Sequence, residues 1–472
     1  MNRLFTNSGR GLTALTVAFG LLVAVAFCAP AQASEMPVVC NSATTSYYAY
    51  IACESEDEVA LVRLIAPENG APKLEVVERI RVGIYDLEIE GPHGLGISLD
   101  GEHWFVSIAH GRPFGLLYKY STSTNELVGE LELGMFPASM QVSEKTGLMH
   151  IVNFNLHGGH EPSTVSIVEP DAMVELERIT TGIMPHGSRF SPGGAKHYSL
   201  SMMTDELFEI DAVKLAITRT LNVHSGEGVM RMMKGSHGQG GHGSHDKGHG
   251  SGHQTGHKAD AGTMHDKHGS TGHGDHKKDQ QMGGQHKSGQ HQTGQHGDAK
   301  HAAQHGGQHS SGQHGGDAQH GAHHHAIAKP TWVQLHPTKP LAYVANNGAA
   351  EVVEINLDEW KITRRFSTGK GPYNVEVTPD GTKFVVTYKS DAATGIWDIE
   401  SGKELARVEN SRKVPHGIAI TPDSRFAIVS VEGIGGEPGG VDAIDLTTLK
   451  RVDVVNIGKQ AGGIVFWKME EE

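Results

Sequence analysis

Prolines at 92, 137, 185, 330, 372 and 415 each open a short phrase in which a turn is followed by an alternating apolar strand, and they stand 45, 48, 145, 42 and 43 residues apart. The clearest copies are Pro92-His93-Gly94-Leu95-Gly96-Ile97 and Pro415-His416-Gly417-Ile418-Ala419-Ile420. A period in the forties, with period-two strands and Asp-Gly turns as at Asp100-Gly101 and Asp380-Gly381, describes one four-stranded sheet per repeat, set radially as the blades of a β-propeller. Six repeats are complete. The seventh is split: Ala461 to Trp467 reads as its opening strand and Tyr47 to Cys53 as the next. Joining the two ends closes the ring and leaves no open sheet edge. The expected fold is therefore all-β, a seven-bladed β-propeller whose N- and C-terminal strands complete one blade, with eight blades as the competing count.

The anomalous spacing of 145 is one ordinary repeat plus roughly a hundred residues, and this insertion holds 22 of the chain's 32 histidines, from His224 to His325. It is built from Gly, Gln, Ser and His with almost no apolar residue, so it cannot offset its own chain entropy and is expected to be a long disordered loop. Neutral imidazole suits zinc, nickel and Cu(II), and the spacing of three to five residues lets several rings wrap one ion. The candidate ligands include His242, His245, His249, His253, His286, His291, His296, His323, His324 and His325. The bound ion is expected to be a transition metal, zinc first, with copper or nickel as alternatives. A soluble spacer is the bland reading of the same residues.

Arg3 and Arg10, the apolar run from Leu12 to Phe27 and the small-residue site Ala31-Gln32-Ala33 make residues 1–33 a secretory signal, so the product is expected in the periplasm or medium. The propeller then occupies 34–222 and 327–472, on either side of the insertion at 223–326. In an oxidising compartment Cys40 and Cys53 are expected to form a disulfide, with a two-thiolate metal site as the alternative. A net charge of −14 argues against nucleic acid and anionic lipid as partners, and no later apolar run is long enough to span a bilayer. A monomer is expected.

The innermost strand of each blade should line a central channel. Counting from each proline, the third and fifth positions are nearly all apolar and should pack between sheets, while the fourth positions include Gln141, Arg189, Gln334 and Glu376, expected to line a wet pore in which Arg189 and Glu376 pair. The first position after the proline should lie in a loop at the channel mouth, and three of these are His93, His186 and His416. Three converging imidazoles suffice for one ion, with His110, His157 or Glu432 from neighbouring loops as further ligands. The alternative is a structural turn whose histidine bonds to backbone.

These phrases, together with Tyr343-Val344-Ala345-Asn346-Asn347 and Val441-Asp442-Ala443-Ile444-Asp445, resemble the YVTN-type β-propeller family over about residues 45–222 and 327–469. The resemblance implies the fold and leaves the function open, since such propellers serve as lactonase-like enzymes, haem binders and binding proteins. No nucleophile elbow is present and the pattern leans away from an enzyme. The expectation is an exported metal-binding propeller whose histidine-rich loop captures ions for binding, storage or delivery at the mouth. A lactonase-like hydrolase or metal-dependent oxidoreductase acting at the channel is the alternative, and a scaffold that docks a protein partner on the propeller face is the third reading.

Overall fold

The computed structural model describes residues 43–84, 88–110, 114–230 and 326–471. They form seven antiparallel sheets around one axis. Blade 1 has the innermost strand Ala461–Glu471, followed outward by Thr44–Cys53, Glu58–Pro67 and Lys73–Arg81, so the two ends of the chain close the ring as the sequence implies. The innermost strands of blades 2 to 7 are Pro92–Ile97, Pro137–Val142, Pro185–Phe190, Pro330–Leu335, Pro372–Val377 and Val414–Ile420. Each blade keeps the period-two alternation that its sequence carries: in His103–Ile108, Trp104 and Val106 pack toward blade 1 while Phe105 packs toward blade 3. The hydrophobic core is thus a set of slabs between adjacent blades.

Strands alternate in direction, so the loop before each innermost strand and the loop joining the second and third strands of every blade share one face, here the mouth face. In blades 1 and 4 an aspartate in the second loop ties down the segment arriving at the next blade. Asp57 accepts from Glu90 N and Gly91 N at 2.9 and 2.8 Å. Asp205 accepts from Ile327 N, Ala328 N and Lys329 N at 2.7, 3.2 and 2.8 Å.

Blade 4 has a fifth strand, Gly228–Met230, paired with the outer edge of Ala216–Asn222. The chain therefore turns on the mouth face at residues 223–227, runs back along the rim, and returns at Ala326 on the mouth face beside Asp205. The returning stem of the insertion thus emerges on the mouth face, while the outgoing one is drawn along the otherwise unpaired edge of blade 4. The signal segment, Cys40 and the histidines from His242 to His325 lie outside the described residues. Among the described residues no helix is long and apolar enough to cross a membrane.

Candidate functional site

Every innermost strand carries a one-residue bulge at its start, immediately after the proline in blades 2 to 7. Pro92 pairs with Ile108 but Leu95 with Val106, and the same shift follows Pro137, Pro185, Pro330, Pro372 and Pro415. Blade 1 has its shift at Ala461. A bulge turns one side chain out of the alternation, and the residues so placed are His93, Ala138, His186, Thr331, Tyr373, His416 and Gly462. The expected loop at the mouth is in fact strand, and the bulge explains how these side chains reach the axis. The glycine that follows has its own reason. A Cβ at Gly94 would stand 1.6 Å from Ala138 O, and one at Gly187 would stand 2.4 Å from Thr331 O, so neighbouring innermost strands approach too closely there for any side chain.

The rings meet at the axis. His93 lies 5.9 Å from His186 and 6.1 Å from His416 between ring centroids, and Tyr373 lies 5.4 and 4.7 Å from His186 and His416. The three histidines are buried and Tyr373 is partly exposed, so together they form a plug across the channel. Burial, with Lys389 and the other rings adding to it, holds the His416 imidazolium well below its ordinary range, and burial sets His186 to about 3. Both rings are neutral at any physiological pH.

Hydrogen bonds fix which nitrogen carries the proton. His186 Nδ1 donates to Thr331 O at 3.2 Å, which leaves Nε2 as an acceptor for the Tyr373 hydroxyl at 2.9 Å. His93 Nδ1 is 2.5 Å from Glu54 Oε1. Glu54 comes from the second-to-third-strand loop of blade 1 and is almost completely buried. Burial alone would raise its carboxyl, but His93 and His110 outweigh that and hold it at about 2. Outward from Glu54, His110 Nε2 stands 4.0 Å from Oε2, and His157 Nε2 is 3.1 Å from His110 Nδ1. On the other side Glu432 is 3.9 Å from His416 Nε2 and pairs with Lys389 at 3.1 Å. All six mouth residues named from the sequence thus fall in one cluster. Sequence reading missed Glu54, Tyr373 as a partner of His186, and Lys389. Glu54 was hidden because it belongs to the split blade and sits outside any repeat phrase.

Below the plug the channel widens into a cavity of about 330 Å³. Arg189 and Glu376 pair across it at 2.7 Å as expected, and Gln334 and Trp332 also donate to the Glu376 carboxylate. Burial raises the Glu376 pKa despite Arg189. Gln141 accepts from Phe190 N at 2.8 Å. Leu95, Ile97, Ile418, Ile420, Ile464 and Phe466 also reach the cavity, so the third and fifth positions line it as well as packing between sheets. Cys53 is buried without a disulfide partner among the described residues, and burial, then Glu58, pushes its thiol to about 12.

With this geometry in place, the fold can be set beside known structures. A protein from Lactobacillus plantarum superposes with a TM-score of 0.56 at 9% identity, covering 90% of this chain and 100% of its own. A provisionally assigned 6-phosphogluconolactonase from Bacteroides fragilis gives 0.53 at 10% identity, covering 92% and 100%, and a functionally unknown protein from Desulfotomaculum acetoxidans gives 0.53 at 10%, covering 89% and 98%. The chain shares their fold. At such identity the likeness reaches no further than architecture. No protein family and no curated protein matches the sequence.

Proposed function

We propose that this is an exported transition-metal-binding propeller of the YVTN type, in which the histidine-rich segment captures zinc, or copper or nickel, and the plug of His93, His186 and His416 receives one ion. The observation that carries this reading is the set of three buried imidazoles in which His93 lies about 6 Å from each of His186 and His416, with Nδ1 of His93 held by Glu54 and Nδ1 of His186 by a backbone carbonyl. Three rings around one zinc at a Zn–N distance of about 2.0–2.1 Å have centroids about 5–6 Å apart. A carboxylate or carbonyl on the far nitrogen fixes the ring and raises its basicity as a ligand. Among the described residues no three His, Cys, Asp or Glu side chains already stand at coordinating distance of one point. Uptake therefore draws the rings inward and requires Tyr373 to release His186. The line His157, His110, Glu54 offers an approach from the surface.

The test is metal content and zinc calorimetry on tag-free full-length protein. The intact chain should bind several ions, one of them at least tenfold tighter than the rest, and His93→Ala with His416→Ala should remove that one while leaving the weaker sites. An unchanged tight site in the double variant would assign these histidines to turn chemistry, and no uptake by the intact chain would remove the metal reading altogether.

A further inference from the structure

The cavity beneath the plug is two-sided. One wall is Leu95, Ile97, Ile418, Ile420, Ile464 and Phe466, and the other is Gln141, Arg189, Trp332, Asn374 and Glu376. At about 330 Å³ it lies at the small end of ligand pockets. Its opening is on the face away from the mouth: the histidines at the plug are buried, whereas Ile97, Gln141, Arg189, Ile420 and Phe466 are partly exposed.

The charges on its polar wall are already spent on each other. Arg189 Nη2 pairs with Glu376, Arg189 Nη1 donates to Ser188 O at 3.0 Å, and the guanidinium lies 4.6 Å over the Trp332 ring. Glu376 accepts from Arg189, Trp332 and Gln334. A charged guest would have to break this pair or sit uncompensated between it and an apolar wall, and leaving one buried charge unpaired costs several kcal/mol. What the wall leaves over is uncharged. Gln141 uses its amide oxygen on Phe190 N, so its nitrogen remains to donate, and Asn374, only 3% exposed, has an Oδ1 without a partner. Orphaned polar groups of this kind favour an occupant that can pair with them.

We infer that the channel is a binding site for a small uncharged molecule with an apolar body and one polar edge of the amide or hydroxyl type. The three plug histidines roof the same cavity, but the assignment does not rest on the metal reading, and its test is run with EDTA present so that either can fail alone. Benzamide, benzoate and benzylamine share one shape and differ in charge, and their binding to the full-length protein can be followed by ligand-observed NMR. Benzamide should bind at least tenfold tighter than the two ions, and Ala419→Leu, which fills the cavity, should weaken it by at least tenfold. Glu376→Gln leaves Arg189 without its partner, and a guanidinium does not deprotonate, so this variant should reverse the order in favour of benzoate. Equal binding of either ion by the unaltered chain, an unchanged order in Glu376→Gln, or no binding of benzamide at all would each overturn the assignment.

Discussion

A buried imidazole with no acid bonded to it is stable only as the neutral ring, and the described residues hold two clusters of such rings. One is His186 and His416 of the plug. The other is the pair His150 and His197, 4.6 Å apart between blades 3 and 4 and wholly buried beside Phe190, with no hydrogen-bond partner among the described residues on any of their four ring nitrogens. Burial holds His150 at about 3 and His197 well below its ordinary range, His150 and Arg189 adding to the effect on the latter. Because the folded-state pKa is depressed, this stability is fully present above the unfolded value near 6.5 and is lost as pH falls toward 3. Each such ring contributes a slope approaching about 1.4 kcal/mol per pH unit. Glu54, set to about 2, adds acid sensitivity only below its ordinary value of 4.5, so between 6.5 and 4.5 the loss comes from the histidines, opposed by Glu376, whose raised carboxyl takes up its proton more readily in the folded chain. Urea titrations across that window should show the loss, and His150→Phe with His197→Phe should reduce its slope, leaving the part that His186 and His416 contribute. The double variant should also gain on the order of 2 kcal/mol at pH 7.5, since orphaned polar groups give way to apolar ones. A variant with the parental slope would place the titration elsewhere. At this scale the sequence was half legible. His93, His186 and His416 stand out because they occupy one repeat position, whereas His150 and His197 stand at neighbouring positions of their strands and meet only because blades 3 and 4 turn opposite faces toward each other.

The bulge is the element on which the site depends, and it was not legible. A proline followed by a histidine and a glycine reads equally well as a loop, and only the pairing register shows that the strand has already begun. The glycine provides the handle for a test. In Gly94→Ala the new Cβ meets a backbone carbonyl at 1.6 Å, and blades 2 and 3 cannot separate without opening their shared core. The expected loss is about 3 kcal/mol or more in a denaturant titration, with His93 displaced from Glu54. Asp205→Ala removes one carboxylate from three backbone donors at the returning stem. It should cost about 2–4 kcal/mol and make the chain between Ala326 and Lys329 cleavable by proteinase K, while Asp205→Asn, which keeps one acceptor, should recover part of the protection. The four-stranded blades, by contrast, were plain in the sequence because apolar third and fifth positions flank polar fourth positions such as Gln141, Arg189, Gln334 and Glu376, and the phrase recurs with a period in the forties.

At the scale of the whole molecule, ring closure and insertion make opposite demands. Closure needs both ends of the chain, since Thr44–Cys53 pairs with Ala461–Glu471 along most of its length. The insertion needs only its two stems, and each is held by the propeller itself: Arg365 donates to His224 O at 2.7 Å on the outgoing side, and Asp205 anchors the returning side. Replacing residues 231–325 by about ten Gly and Ser residues should therefore leave the fold intact and stabilise it by about 2 kcal/mol, from the logarithmic fall in loop-closure cost. The deletion also separates capacity from affinity. An ion that binds only the folded chain raises its melting temperature in proportion to RT ln(1 + [L]/Kd). Ligands that bind ions equally in the folded and unfolded chain raise the number of ions held and contribute nothing to that rise. Zinc at a fixed free concentration should consequently shift the melting temperature of the deleted and full-length proteins by the same amount, although the deleted protein holds far fewer ions. The shift should vanish in His93→Ala with His416→Ala whether or not the insertion is present. A shift that follows the insertion and ignores the plug would mean that the propeller merely carries the histidines.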